Sequence, residues 1–170
     1  VKINNISFQG NTIFNEGKLK RMMKDTKVKK KYRIFKTSKF LNDAYEEDKE
    51  NIIANYNKKG YRDAKIIRDS IYIGENDNLN INLKIKEGRP YFFGKISFVG
   101  NTKYSNKELK QVVGIEKGDI YNKEVIQIRL LGSPDSKDVH SKYLDNGYLF
   151  SQVNPIAVSY THLTLPTMFE

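Results

Sequence analysis

Chemistry needs titratable or nucleophilic side chains at set spacings, and this 170-residue chain supplies few of them. Its two histidines are His140, in a helix-like stretch, and His162, near the C-terminal end. Neither has a partner at the spacing of a metal-ligand set or a catalytic triad. With no cysteine, disulfides and thiolate metal sites are excluded, and no redox compartment can be inferred. The acid-rich run NDAYEEDKE (42–50) could be drawn as a metal site. Its place near the start of an amphipathic helix argues otherwise, because acids there favour the helix dipole and face water. Isolated glycines in FQGN and NKKGY make no phosphate-binding loop. The residues therefore point away from an enzyme, and no cofactor or metal is expected.

Charge is the stronger signal. The formal net charge is +10, yet residues 18–39 alone carry 11 Lys or Arg against the single acid Asp25. The rest of the chain is neutral, so the basic pI reports one local patch. That patch centres on Lys27, Lys29, Lys30, Lys31, Arg33, Lys36 and Lys39. It can be read as a solvated loop, as a docking patch for an anionic membrane surface or acidic partner, or as a nucleic-acid contact. Membrane or partner attraction would act at long range and weaken with salt. Tyr32 and Phe35 could stack on bases, but with the remaining surface neutral no nucleic acid is expected as a partner. Phe35 and Phe40 are expected to pin the loop to the core.

The elements that must position any site come in two copies. NISFQGNT (5–12) is nearly rewritten as KISFVGNT (95–102), and YNKKGY (56–61) as YLDNGY (143–148). Such self-similarity marks a repeated unit. Each copy opens with a short strand that ends at Gly-Asn, where φ > 0 is tolerated. Asn15 is a candidate N-cap for a helix carrying Leu19, Met22 and Met23. A second helix is predicted from about Asn42 to Lys59. Tyr45, Lys49, Ile52, Ile53 and Tyr56 make an amphipathic stripe along it, the acids decorate the opposite side, and Gly60 ends it. In NLNINLKIK (78–86), Leu79, Ile81, Leu83 and Ile85 alternate strictly with polar residues, the pattern of a half-buried strand. Its hairpin partner, AKIIRDSIYIG (64–74), switches apolar parity between Ile66 and Ile67, which predicts a bulge. The order strand, helix, helix, strand, strand implies an α+β fold with a three-stranded sheet and two helices on one face. In the second copy GSPDSKD (132–138) is expected to split the second helix.

ISFxGNT, the helix pair ending in YxxxGY and the hairpin closing on EG resemble the POTRA domain over residues 1–157. KGDIYNKE and YLDNGYLFSQVNP are similar to phrases of the BamA family of outer-membrane protein assembly factors. The resemblance implies two tandem POTRA-like β-α-α-β-β domains, each with a three-stranded mixed sheet, at 1–89 and 90–158. The tail SYTHLTLPTMFE replaces the expected closing strand of the second domain, which is therefore read as truncated. VSYTHL looks like translated adapter DNA, so 159–170 is read as non-native. The chain opens directly into VKINNISF, so a signal peptide is absent or upstream. No run approaches 18 apolar residues, and no membrane-spanning helix is expected.

The family further implies a place on the periplasmic side of the bacterial outer membrane. Its expected partners are unfolded outer-membrane proteins, accessory lipoproteins and the protein's own C-terminal β-barrel, which this chain lacks. In POTRA-like folds the strand at 64–73 lies at the sheet edge. Lys65, Ile66, Ile67, Arg68, Asp69, Ser70 and Ile71 are thus the expected partner-binding edge, open to β-augmentation. An idle edge, kept soluble by Arg68, Asp69 and Ser70, is the structural alternative. Gly88, Arg89 and Pro90 are expected to form the interdomain hinge. Two other functions stay open: the POTRA array of a secretion or lipid-transport barrel protein, and a basic adaptor acting through 18–39.

Overall fold

The computed structural model describes residues 2–28, 40–74, 77–156 and 158. The chain divides into two compact units: Val1–Ser97 with Ile115–Val125, and Phe98–Gly114 with Ile126–Glu170.

The first unit holds β1 (Ile3–Gln9), α1 (Glu16–Met22), α2 (Asn42–Lys58), β2 (Lys65–Ile73) and β3 (Leu79–Lys86). Spatial order in the sheet is β1-β3-β2, with β1 parallel and β2 antiparallel to the central β3. A parallel pair needs a long crossover, and the two helices lie within it. As its alternation predicts, β3 sends Ile81, Leu83 and Ile85 into the core, where they meet Ile3, Ile6 and Phe8 of β1. Leu19 and Met23 from the α1 end, and Tyr45, Ile52 and Tyr56 of α2, close the same core from above. Each buried aliphatic stabilises the unit by about 1.5–3 kcal/mol.

Local chemistry sets the helix ends. The Asn15 side chain accepts from the Lys18 amide at 2.9 Å and starts α1. After α2, Gly60 takes φ +85°. Its N–H donates to the Asn57 carbonyl and that of Tyr61 to the Tyr56 carbonyl, a Schellman stop. One acid departs from the expected solvated face. Asp48 is 2% exposed and accepts from the amides of Lys24 and Thr26 at 2.5 and 2.6 Å, and from Asp25. Those amides lie past the end of α1 with no helical partner, and a buried carboxylate is the acceptor that satisfies all three.

The second unit contains α3 (Asn106–Val113) and α5 (Val139–Leu144), and α4 (Lys123–Leu131) runs into it. The break between α4 and α5 falls at the GSPDSKD segment, as its composition predicts. Asp138 caps α5, accepting from the Ser141 amide at 3.0 Å and the Ser133 amide at 2.9 Å. Among the described residues no sheet forms after β3: Lys95–Phe98, the copy of β1, takes no strand pairing. A lone strand has no partner for its amides and carbonyls, so an extended segment without one does not settle into a sheet.

Candidate functional site: the β2 edge and its groove

Two strands lie at the sheet margins, and they differ. On β1 the apolar residues Ile3, Ile6 and Phe8 are all buried. On β2, Ile67, Ile71 and Ile73 are 47%, 41% and 69% exposed, and no strand pairs with the outer side of β2 among the described residues. A long edge with exposed β-branched residues is a template for another strand unless it is interrupted.

The interruption is at Ile67. The register runs Ile66↔Ile85 and then Arg68↔Lys84, leaving Ile67 without a partner on β3. This is the bulge that the parity switch predicts, and it re-aims every residue after it. Asp69 now stands opposite the buried Leu83 and points to the helical side, while Arg68 stands opposite Lys84 on the open side.

On the helical side, an open groove of about 430 Å³ runs between α2 and β2. Glu46, Glu50, Ile53 and Asn57 line it from α2, and Ile66, Ile67 and Asp69 from β2. Lys49 bridges its walls, with Nζ at 2.8 Å from Asp69 Oδ2 and at 2.8 Å from Glu46 Oε1. The Tyr45 hydroxyl donates to Asp69 Oδ2 at 3.3 Å. The Lys49 ammonium holds the Asp69 carboxyl below its ordinary value, against some burial. Burial pulls the Lys49 ammonium down, but its bonds to Asp69 and Glu46 outweigh that and leave it raised. Burial, then the Asp69 charge, raises the Tyr45 phenol, so it stays a donor.

Of the seven edge residues expected from sequence, Lys65 to Ile71 all lie on β2, divided between its two faces by the bulge. The groove wall on α2 was not singled out from sequence. Its spacing, 46, 50, 53 and 57, is the one available signal, a single strip along a helix. The basic patch is not brought together in the same way. Lys27 Nζ donates to the carbonyls of Lys20 and Met23 at the end of α1, where a cation complements the helix dipole. Lys29, Lys30, Lys31, Arg33, Lys36 and Lys39 lie outside the described residues, as does Phe35. Phe40 does pack on Tyr45, with ring centroids 5.5 Å apart. Gly88, Arg89 and Pro90 are exposed and lie inside the first unit, with Gly88 at φ +75°. His140 is partly buried on α5, and no group of three His, Asp or Glu side chains is placed to hold a metal among the described residues. None of the described helices is long and apolar enough to cross a membrane.

A residue missed at the sequence level joins the repeated phrases. Glu87, of the closing EG, is 9% exposed. Its carboxylate accepts from the Thr12 and Ile13 amides at 2.8 and 3.0 Å, from the Thr12 hydroxyl, and from the Tyr56 hydroxyl at 2.8 Å. Burial alone would raise this carboxyl, but the donors outweigh it and hold it low. The GNT turn, the YxxxGY helix end and the EG strand end therefore meet at one charge, which locks the ends of the sheet and α2 together.

Comparison with known proteins bears on the whole chain. The POTRA family model, described as the surface antigen variable number repeat, matches residues 1–88 and again 91–165. The outer membrane protein assembly factor BamA of Neisseria meningitidis serogroup B is 25% identical over 155 residues, which are 90% of this chain and 19% of that protein. BamA of Neorickettsia risticii is 31% identical over 120 residues, 69% of this chain and 16% of that protein. The chain thus spans less than a fifth of the length of these relatives. A crystal structure of Haemophilus influenzae BamA POTRA domains 3–5 shares the fold, with a TM-score of 0.54 and 21% identity over 74% of this chain and 49% of that one. The chain belongs to the POTRA family, as tandem POTRA domains of a BamA-family protein.

Proposed function

We propose that this chain is the periplasmic part of an outer-membrane β-barrel assembly factor and binds extended segments of unfolded outer-membrane proteins and accessory lipoproteins by strand addition at β2. Its role is binding, without catalysis, and it passes clients towards a β-barrel. One observation carries the reading. β2 has a free outer edge, it leaves Ile67, Ile71 and Ile73 in solvent, and it borders an open groove. An added strand would pair through its backbone, so the site could accept many sequences, while alternate side chains entered the groove. The names of the similar proteins, assembly factors by description, support the same role. The domain division near residue 89, the hinge at Gly88, Arg89 and Pro90, and the non-native reading of 159–170 belong to the proposal too.

Photo-crosslinking tests it on the 170-residue chain. A reactive side chain at Ile71 or Ile73 is expected to trap an unfolded outer-membrane protein, and one at the exposed Asn4 of β1 is not. Ile67→Pro removes a backbone donor at the one β2 position that has no partner on β3. It should abolish the crosslinks and leave the circular dichroism spectrum intact. Unchanged crosslinking in a folded proline variant would end the strand-addition reading.

A further inference from the structure

The bulge does more than interrupt the edge. On the open face of the sheet, away from the helices, Lys65 stands directly across from Lys86, and Arg68 directly across from Lys84. All four are exposed. Without the one-residue shift Arg68 would oppose Leu83 and face the helices, and the two cross-strand pairs could not both form. Like charges at directly opposed sheet positions destabilise a fold. No ion pair offsets them. β1 contributes Ser7 and Gln9 opposite Asn82 and Lys84. Of the acids adjoining the four, Asp69 is turned to the groove and held by Lys49, the Glu87 carboxylate is taken by Thr12, Ile13 and Tyr56, and Asp63 accepts from the Tyr91 hydroxyl. None of the four cations makes an ion pair among the described residues.

The two faces that an added strand would meet at β2 are therefore chemically opposite. On the groove side lie Ile66, Ile71 and Ile73, with Asp69 already neutralised. On the open side lie Lys65 and Arg68, backed by Lys86 and Lys84. Side chains two apart on a strand share a face, and Lys65 and Arg68 sit two register steps apart on β3, at Lys86 and Lys84. We infer that the strand accepted at β2 is an alternating one, with apolar residues towards the groove and acidic residues, two apart, towards this cationic quartet. The inference rests on strand addition and adds the client's sequence rule: the edge selects amphipathic strands whose polar face is acidic. Repulsion among the four cations is relieved only when such a strand is present, so the free edge is kept soluble by the same charges that choose its partner.

Three peptides as long as the nine-residue β2 test this, with alternate aliphatic residues and Glu, Ser or Lys between them. Each is titrated by fluorescence anisotropy onto the 170-residue chain and onto the Lys65→Glu/Arg68→Glu double variant. Both reversals place a glutamate opposite a lysine, so the variant should keep its fold. The Glu peptide is expected to bind about tenfold more tightly than the Ser peptide. That preference should shrink in high salt and reverse in favour of the Lys peptide on the double variant, with the Ser peptide binding both proteins equally. Equal affinity for the Glu and Ser peptides on the unmodified chain overturns the charge rule and leaves strand addition standing. Failure of all three peptides to bind overturns strand addition itself. Loss of phosphatidylglycerol-vesicle binding in the double variant, with no peptide preference, overturns the rule and gives the quartet to a membrane surface.

Discussion

The two copies of the repeat agree wherever the structure is local and part where it is not. Gly10 and Gly100 take φ +78° and +80° in the same turn. Asn11 and Asn101 each donate to the carbonyl three residues on, at 2.9 and 2.8 Å. Tyr61 and Tyr148 close the same helix stop, after Gly60 and Gly147. Even the aromatic stacks match: Phe14–Tyr56–Tyr61 and Tyr104–Tyr143–Tyr148 are both edge-on runs, with first contacts at 4.7 and 5.0 Å. Among the described residues, the second copy shows no sheet and no acceptor equivalent to Glu87. Turns, caps and aromatic clusters thus form from residues a few positions apart, while a strand waits for a partner from far along the chain.

Glycine substitution strains this comparison most. A Cβ on Gly10 would lie 2.3 Å from the Ile85 carbonyl oxygen, on the central strand, whereas one on Gly100 would meet nothing within 4 Å. Gly10→Ala is expected to destabilise the first unit by about 3 kcal/mol, combining the left-handed backbone with a backbone clash. Gly100→Ala, with the backbone term alone, should cost about 1 kcal/mol. Hydrogen exchange of the amides in each unit reads the two separately, and equal losses would break the contrast.

Next comes the charge at Glu87, which has no counterpart among the described residues of the second copy. Glu87→Gln is expected to cost about 2 kcal/mol, the scale of hydrogen bonds to an ionised acceptor. Because Glu87 ionises more readily when folded than unfolded, its contribution is complete above about pH 4.3, the free carboxyl's value. It is lost as the pH falls through the lower, folded value, since the unfolded chain takes up the proton first. Urea melts between pH 6 and 3 should show that decline in the first unit, with a shallower slope in Glu87→Gln. An unchanged slope would mean that the carboxylate is not the lock described above.

The finest test compares two tyrosines at equivalent positions. Tyr56→Phe removes a buried hydroxyl from Glu87 and should cost about 1 kcal/mol. Tyr143 uses its ring in both stacks but makes no hydroxyl bond among the described residues, so Tyr143→Phe should change stability by less than about 0.5 kcal/mol. A matching loss at both positions would place an acceptor in the second copy too.

Much of the first unit was legible in sequence because its signals are short-ranged. The alternation in 79–86, the Asn15 cap, the Gly60 stop and the parity switch at Ile66–Ile67 each name a structure that a few neighbouring residues decide. The candidate site was only half legible. That β2 would be an edge followed from family resemblance. The Lys49–Asp69 bridge, the groove and the quartet Lys65, Arg68, Lys84 and Lys86 join α2, β2 and β3, and no window of sequence contains them. Asp48 shows the same limit from the other side. In an acidic run it reads as solvated, yet the unpaired amides at 24–26, over twenty residues away, draw it inside.

By itself, then, the sequence determined the repeat, the turns, the helix ends and the amphipathic stripes, because each depends on φ/ψ preference or on side-chain spacing within one element. Tertiary structure alone decided which phrases converge on Glu87, which face each β2 residue takes after the bulge, and that four cations share one surface. Those outcomes depend on strand register. A slip of one residue would reverse every one of the faces without changing a letter of the sequence.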